Sequence, residues 1–253
     1  MNLKGKISLV TGGTSGIGRK IVEQLLKEGS IVIINYGHND QQASDTIKEL
    51  SNYENNIMLI KADISNDSEV KSMFDQILNK YNKLDYLVNN AGTNIDGFIE
   101  NFDINDWSKN LNVNLIGKFL CTKHAIPLLK KCKSPSIVNI ASRLATKPCI
   151  EASAYCVAES GVVALTKCSA LELSKYNIRV NTVSPSLTLT KMSLNGWSKE
   201  EIETTKNNNP LKRLGETIDI ANTVLFLLSD DASYITGDNI NVNGGSLLWT
   251  KSF

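Results

Sequence analysis

The sequence is poor in the residues that build metal centres and covalent cross-links. Its two histidines, His38 and His124, lie far apart, and its five cysteines form an odd set, at 121, 132, 149, 156 and 168, with no C-x-x-C pair. Neither a disulfide framework nor a zinc site is expected, and no metal ligands are assigned. An excess of one charge is lacking too: 27 basic against 26 acidic side chains leave a formal net charge of +1. That balance calls for no nucleic-acid or membrane partner and points to a small ligand. No apolar run suits a signal peptide, and none approaches the roughly 20 residues of a membrane span. The expectation is a soluble, cytoplasmic protein, and no repeat, low-complexity tract or composition shift marks a second domain.

What the sequence does have is alternation. Its 253 residues, 42% of them hydrophobic, are enough for one large core, and a single domain over 1–253 is expected. Short Val- and Ile-rich runs recur at 6–10, 30–35, 57–62, 84–89, 136–141, 178–183 and 239–243. Their near-continuous hydrophobicity suggests strands covered on both faces. Segments of helical spacing lie between them, at 18–28, 41–50, 68–81, 106–131, 152–176 and 217–228. Strand and helix in alternation predict an α/β fold: a doubly wound, parallel, seven-stranded sheet with helices on both faces. The stretch around 186–214 breaks the rhythm with Pro210, an Asn run and a short amphipathic WSKEEIETTK. An insertion there suits a substrate lid.

Directly after the first strand comes Thr11-Gly-Gly-Thr-Ser-Gly-Ile-Gly18, and a helix follows at once. Small residues let the backbone approach a pyrophosphate, while the helix N-terminus offers free N–H groups and partial positive charge. A glycine cluster alone is a weak signal, since a tight strand-to-helix turn needs glycine whatever binds there. An acid at the end of the second strand would bind both ribose hydroxyls and repel a 2′-phosphate. Here Tyr36 takes that place, followed by Gly37 and His38, with Asp40 past the turn. With His38 and Arg19 as candidate phosphate partners, this favours NADP(H) over NAD(H).

The ordered motifs T-G-x-x-x-G-I-G at 11–18, Asp63 in KADIS, Asn89-Asn-Ala-Gly92, Asn114 in NVNLIGKF, Ser142, and Tyr155 thirteen residues later resemble the short-chain dehydrogenase/reductase family. The subgroup nearest in look is the 3-oxoacyl-[acyl-carrier-protein] reductases, through PLKRLGE and the closing NVNGG. The resemblance implies a Rossmann-like fold and hydride transfer between the cofactor and a carbonyl or secondary alcohol. It implies cofactor contacts at Gly12, Thr14, Ser15, Gly16, Ile17, Gly18, Asp63, Ile64, Asn90, Ala91, Gly92 and Tyr155, and, beyond strand six, at Pro185, Thr188 and Thr190. It implies Tyr155 as acid, Ser142 as the group positioning the carbonyl, and Asn114 as the organiser of a water chain. A homotetramer through the helices 106–131 and 152–176 and the C-terminal strand is also implied. An acyl carrier protein partner is possible: Lys130, Lys131 and Lys133 could dock one, yet a solvated charge run explains them as well, and Leu171 stands where an arginine is expected. Met192, Leu194, Trp197, Arg143 and Glu151 are candidate substrate contacts, and the substrate stays open.

One position departs from the family pattern. A lysine four residues after the tyrosine should hold the nicotinamide ribose and lower the tyrosine pKa, but this chain has Glu159. Residues i and i+4 share a helix face, so the carboxylate belongs beside the same phenol. At ~5 Å and an effective dielectric of ~20 a unit charge is worth about 3 kcal/mol, so tyrosinate should be disfavoured. The expected consequence is impaired or altered activity. The alternative is an NADP(H)-binding pseudoenzyme acting as scaffold or regulator. Lys147 or Lys191 could in principle substitute for the missing ammonium.

Overall fold

The computed structural model describes residues 3–190, 194 and 197–248. Seven strands, β1 (Ile7–Val10), β2 (Ile31–Tyr36), β3 (Ile57–Lys61), β4 (Tyr86–Asn89), β5 (Ser136–Ile140), β6 (Arg179–Pro185) and β7 (Asn239–Val242), form one sheet in the order β3-β2-β1-β4-β5-β6-β7. Every pairing is parallel. The chain winds outward from β1 first to one edge and then, from β4, to the other. This doubly wound topology is Rossmann-like, and its switch point lies between β1 and β4, where the carboxyl ends of the strands diverge.

Side chains alternate across each strand, so consecutive apolar residues feed opposite layers. Leu9, Ile33 and Ile137 pack in one core with Val70, Met73 and Ile77 of α3 (Asp67–Tyr81), with Leu120 and Leu128 of α5 (Gly117–Leu129), and with Leu173 of α6 (Ser153–Leu173). Val10, Ile34 and Val88 pack on the other side against Ile21 and Leu25 of α1 (Gly16–Lys27) and Val224 and Leu228 of α8 (Thr217–Leu228). Two covered faces are why the strand sequences read as unbroken apolar runs.

The remaining helices are α2 (Asp40–Glu49), α4 (Ile104–Leu111) and α7 (Lys199–Asn208). Segment 106–131, expected as one helix, is α4, a π-helical turn over Asn112–Ile116, and α5. Pro127 sits inside α5, which ends at Leu129. The amphipathic stretch after Trp197 forms α7, opened by a capping box in which Ser198 and Glu201 satisfy each other's backbone N–H.

A polar ladder runs through the otherwise apolar layer under α6. Asn89 Nδ2 donates to Asn139 Oδ1 at 2.8 Å, Asn139 Nδ2 to Thr166 Oγ1 at 2.8 Å, and Thr182 Oγ1 to Thr166 Oγ1 at 2.7 Å. Directional bonds of this kind fix the rotation of α6 against β4, β5 and β6, which apolar packing alone would leave looser. The face of α6 carrying Tyr155 and Glu159 is thereby set.

Candidate active site

A cavity of about 870 Å³ opens over the carboxyl ends of the strands at the switch point. Its floor is the turn after β1. Gly12 has φ +62°, a left-handed conformation suited to glycine, and a Cβ there would lie 2.9 Å from Ala91 Cα. Gly18 is tighter still, since its Cβ would fall 2.3 Å from the Gly12 carbonyl oxygen and 2.4 Å from Asn90 Nδ2. Asn90 Nδ2 donates to the carbonyls of Thr11 and Gly12, and the Asn90 and Ala91 amides donate to Thr11 Oγ1 at 2.9 and 3.0 Å. The loops after β1 and β4 thus brace each other and leave the N-terminus of α1 facing open space.

Of the family-motif residues assigned from sequence to catalysis or the cofactor, together with Tyr36 and His38, all but one line this cavity: Gly12, Thr14, Ser15, Gly16, Ile17, Tyr36, His38, Asp63, Ile64, Asn90, Ala91, Gly92, Asn114, Ser142, Tyr155, Glu159, Pro185, Thr188 and Thr190. Gly18 is the exception; it lies beneath the loop and permits its close packing. Among the described residues no group of histidine, cysteine or acidic side chains is arranged to hold a metal.

At the end beside β2, Tyr36, Gly37, His38 and Asn39 form the rim. Tyr36 donates to Asp40 Oδ1 at 3.0 Å, and Lys61 holds the other oxygen at 2.8 Å. Asp40 is therefore tied to its own helix start, outside the cavity lining. Arg19 does not serve as sequence suggests. Its guanidinium bonds Glu49 at 3.0 Å and the Thr46 carbonyl at 3.3 Å, and lies 3.4 Å from Glu23, all on the α1–α2 side. His38, with its ring largely in solvent, is the basic side chain left at this rim; Asp63 lies 3.9 Å away.

At the opposite end stand Ser142, Tyr155 and Asn114. Ser142 follows β5, and its Oγ accepts the Leu144 amide at 3.1 Å. Burial pushes the Tyr155 phenol well above its usual range, the Glu159 charge adds to this, and a hydrogen bond with Ser142 opposes both. Asn114 sits on the π turn, a distortion that often marks functional positions. Its side chain is bonded to the Thr93 backbone at both ends, Oδ1 accepting at 2.9 Å and Nδ2 donating at 2.7 Å. In this arrangement the amide braces the loop after β4.

Sequence reasoning overlooked Lys118. It lines the same cavity from α5, and its Nζ lies 3.7 Å from Glu159 Oε1, with both side chains only 2% exposed. Burial pulls the Lys118 ammonium below its ordinary range and pushes Glu159 above its own, and each opposes the other's shift by attraction. The signal was the lone lysine in the otherwise apolar GKFLC run. Lys147 is exposed and outside the lining, whereas Lys191 and Met192 fall outside the described residues. Leu194 and Trp197 do not line the cavity. Glu151 is exposed, in a left-handed conformation with φ 66°.

An open parallel sheet with a glycine turn at its switch point, and a cavity running from that turn to a tyrosine, defines a Rossmann-like α/β fold with its ligand cavity at the switch point. The model of the family described as enoyl-(acyl carrier protein) reductase matches residues 12–246. A 3-oxoacyl-[acyl-carrier-protein] reductase of Staphylococcus aureus is 37% identical over 240 residues, covering 95% of this chain and 97% of that protein. One from Aquifex aeolicus is 37% identical over 246 residues, covering 97% and 98%. The ligand-free aldohexose dehydrogenase of Thermoplasma acidophilum superimposes with a TM-score of 0.89 at 32% identity, covering 99% of this chain and 97% of that one. The chain belongs to the short-chain dehydrogenase/reductase family.

Proposed function

We propose that the protein is an NADP(H)-dependent oxidoreductase that transfers hydride between the nicotinamide and a carbonyl or secondary alcohol, with carbonyl reduction the favoured direction. The observation that carries this reading is that one cavity joins the glycine turn at the α1 N-terminus to Tyr155 and Ser142. The cavity suits a dinucleotide. Gly12 and Gly18 allow a backbone approach that a Cβ would block, and a buried, unpartnered oxygen, Glu159 Oε2, stands ready for a donor. Asp63 and Ile64 would hold the adenine, the turn 12–17 the pyrophosphate, Asn90 to Gly92 the central stretch, and Pro185, Thr188 and Thr190 the nicotinamide end. When bound, the cofactor supplies the hydride. NADP(H) is favoured because no carboxylate of the β2 end lines the rim and His38 does.

The chain's own part follows from its geometry. Tyr155, kept protonated by burial, donates its proton to the oxygen of a carbonyl as charge develops there, and Ser142 orients that oxygen by a second hydrogen bond. Asn114 fixes the loop carrying Gly92 and Thr93. The relatives differ in substrate, a 3-oxoacyl-[acyl-carrier-protein] for some and an aldohexose for another. A carrier-protein partner finds little support in the basic run. Lys130 stacks on Tyr176 at 3.6 Å, Lys131 bonds Asn82 at 2.6 Å, and Leu171 is exposed. The lid expected over 186–214 falls partly outside the described residues, at 191–193 and 195–196, and Ser186, Thr188 and Thr190 are its residues that line the cavity. The exposed apolar Ile116 and Phe119 of the α4–α5 stretch and Val157 of α6 suit a homotetramer.

The second reading, a pseudoenzyme that binds NADP(H) as scaffold or regulator, is favoured by the carboxylate beside the phenol. Consumption of NADPH with a panel of 3-oxoacyl thioesters and sugars decides between them. Turnover of any carbonyl supports the enzyme, and tight NADPH binding without hydride transfer across the panel supports the scaffold.

A further inference from the structure

The Lys118–Glu159 pair is unusual in its placement. Two oppositely charged side chains, both almost wholly buried, face each other at 3.7 Å across α5 and α6, and both belong to the cavity wall. A buried ion pair is weak evidence for stability, since desolvation offsets its attraction and an apolar pair of similar volume usually serves as well. The separation exceeds a direct hydrogen bond. Glu159 Oε1 is held by charge, while Oε2 is buried without any partner. An orphaned carboxylate oxygen in the wall of a cavity is placed to accept a hydrogen bond from what enters that cavity.

The polarity of that donor can be named. The cavity runs from the adenine rim past the phosphate turn to Tyr155, so the ribose preceding the reactive ring lies toward the α6 wall. A ribose hydroxyl is both donor and acceptor, and a carboxylate only accepts. We propose that Lys118 and Glu159 act as one unit, in which Lys118 counter-charges and positions Glu159 so that Oε2 accepts a hydrogen bond from a hydroxyl of the ribose beside the reactive ring. The hydroxyl then donates to the protein. Lys118 is the positioning residue and Glu159 the binding residue. The pair carries no net charge, so the effect of the Glu159 carboxylate on Tyr155 is partly offset by the Lys118 ammonium 3.7 Å from it.

This inference rests on the dinucleotide reading given above, and its test separates the two. Calorimetric titration with NADPH probes the whole cofactor, whereas adenosine 2′,5′-bisphosphate probes the same pocket without the second ribose. Glu159→Ala should weaken NADPH binding at least ten-fold and leave the bisphosphate within two-fold of wild type. Lys118→Met should weaken NADPH in the same selective way, and Glu159→Gln, which keeps an acceptor, should recover part of the loss. If the single variants fold poorly, the double variant Lys118→Met with Glu159→Leu removes both charges together and should show the same selective loss. Unchanged NADPH affinity in the folded variants overturns the role of the pair while the cofactor reading stands. Equal weakening of both ligands also overturns it, as a merely structural effect. Failure of wild-type protein to bind either ligand overturns both readings.

Discussion

Tyr155 and Glu159 stand one helical turn apart on α6 and line one cavity, and the carboxylate reinforces what burial does to the phenol. Burial and the Glu159 charge raise the Tyr155 pKa, with the Ser142 hydrogen bond opposing them. The protonated form is the proton donor, and a raised pKa extends its range upward. Carbonyl reduction should therefore be flat in its dependence on this group from about pH 6 to 9, whereas alcohol oxidation, which needs tyrosinate, should be slow there and climb with pH. Tyr155→Phe should lower kcat for reduction by about 10²- to 10⁴-fold and leave NADPH affinity near wild type. A reduction rate that falls between pH 7 and 9 in step with phenol ionisation would contradict the assignment.

Lys118 changes what a substitution at Glu159 does. Judged from the sequence, Glu159→Lys restores the family pattern and should raise activity. In the structure it sets two buried ammonium groups side by side. Breaking a buried pair in this way costs about 3–5 kcal/mol, because the remaining charge is left without compensation. Urea denaturation should show a loss of that order for Glu159→Lys alone, and Lys118→Met in the same chain should recover most of it. A single variant as stable as wild type would mean that the pair is not electrostatically coupled. Any gain in carbonyl reduction is expected only in the double variant.

The fold was legible because its signal is repetitive. Seven apolar runs alternating with helical spacing lead to the sheet that is observed, and the ends of the elements shift by only a few residues. Short motifs are what pointed to Gly12, Gly16, Asn90, Gly92, Ser142 and Tyr155, which line one cavity. What escaped was pairwise and long-range. Lys118 and Glu159 lie on different helices, and no local pattern announces that a lysine in an apolar run meets a glutamate elsewhere in the chain. Arg19 misled for the same reason, since its partners Glu49 and Thr46 belong to another helix, α2. The Asn139–Thr166–Thr182 ladder was equally hidden, being a property of how β5, α6 and β6 stack.

The adenine-side rim offers a test of cofactor choice. Tyr36 ends β2 where a carboxylate would bind both ribose hydroxyls, and Asp40 is held by Tyr36 and Lys61. Tyr36→Asp places an acid at that strand end and repels a 2′-phosphate. The ratio of NADP(H) to NAD(H) affinity should fall at least ten-fold, about 1.4 kcal/mol or more, as read by nicotinamide fluorescence. His38→Ala should weaken NADPH more than NADH. Tighter binding of NADH than NADPH by the unmodified protein would remove the basis for both expectations.

Gly18 supplies the most direct test of the floor. It does not touch the cavity, yet a Cβ there would lie 2.3 Å from the Gly12 carbonyl oxygen and 2.4 Å from Asn90 Nδ2. A backbone carbonyl cannot swing aside as a flexible side chain does, so Gly18→Ala must displace the turn or the loop after β4. Overpacking of this kind costs about 1–3 kcal/mol, to be measured by urea denaturation. The displaced turn moves the amides of 12–17 away from the pyrophosphate, so affinity for NADPH and for adenosine 2′,5′-bisphosphate should fall together. That distinguishes it from the Lys118–Glu159 variants, which should affect the whole cofactor alone. Wild-type stability and binding in the Gly18→Ala variant would show that the close packing of Gly12, Gly18 and Asn90 is not what shapes the floor.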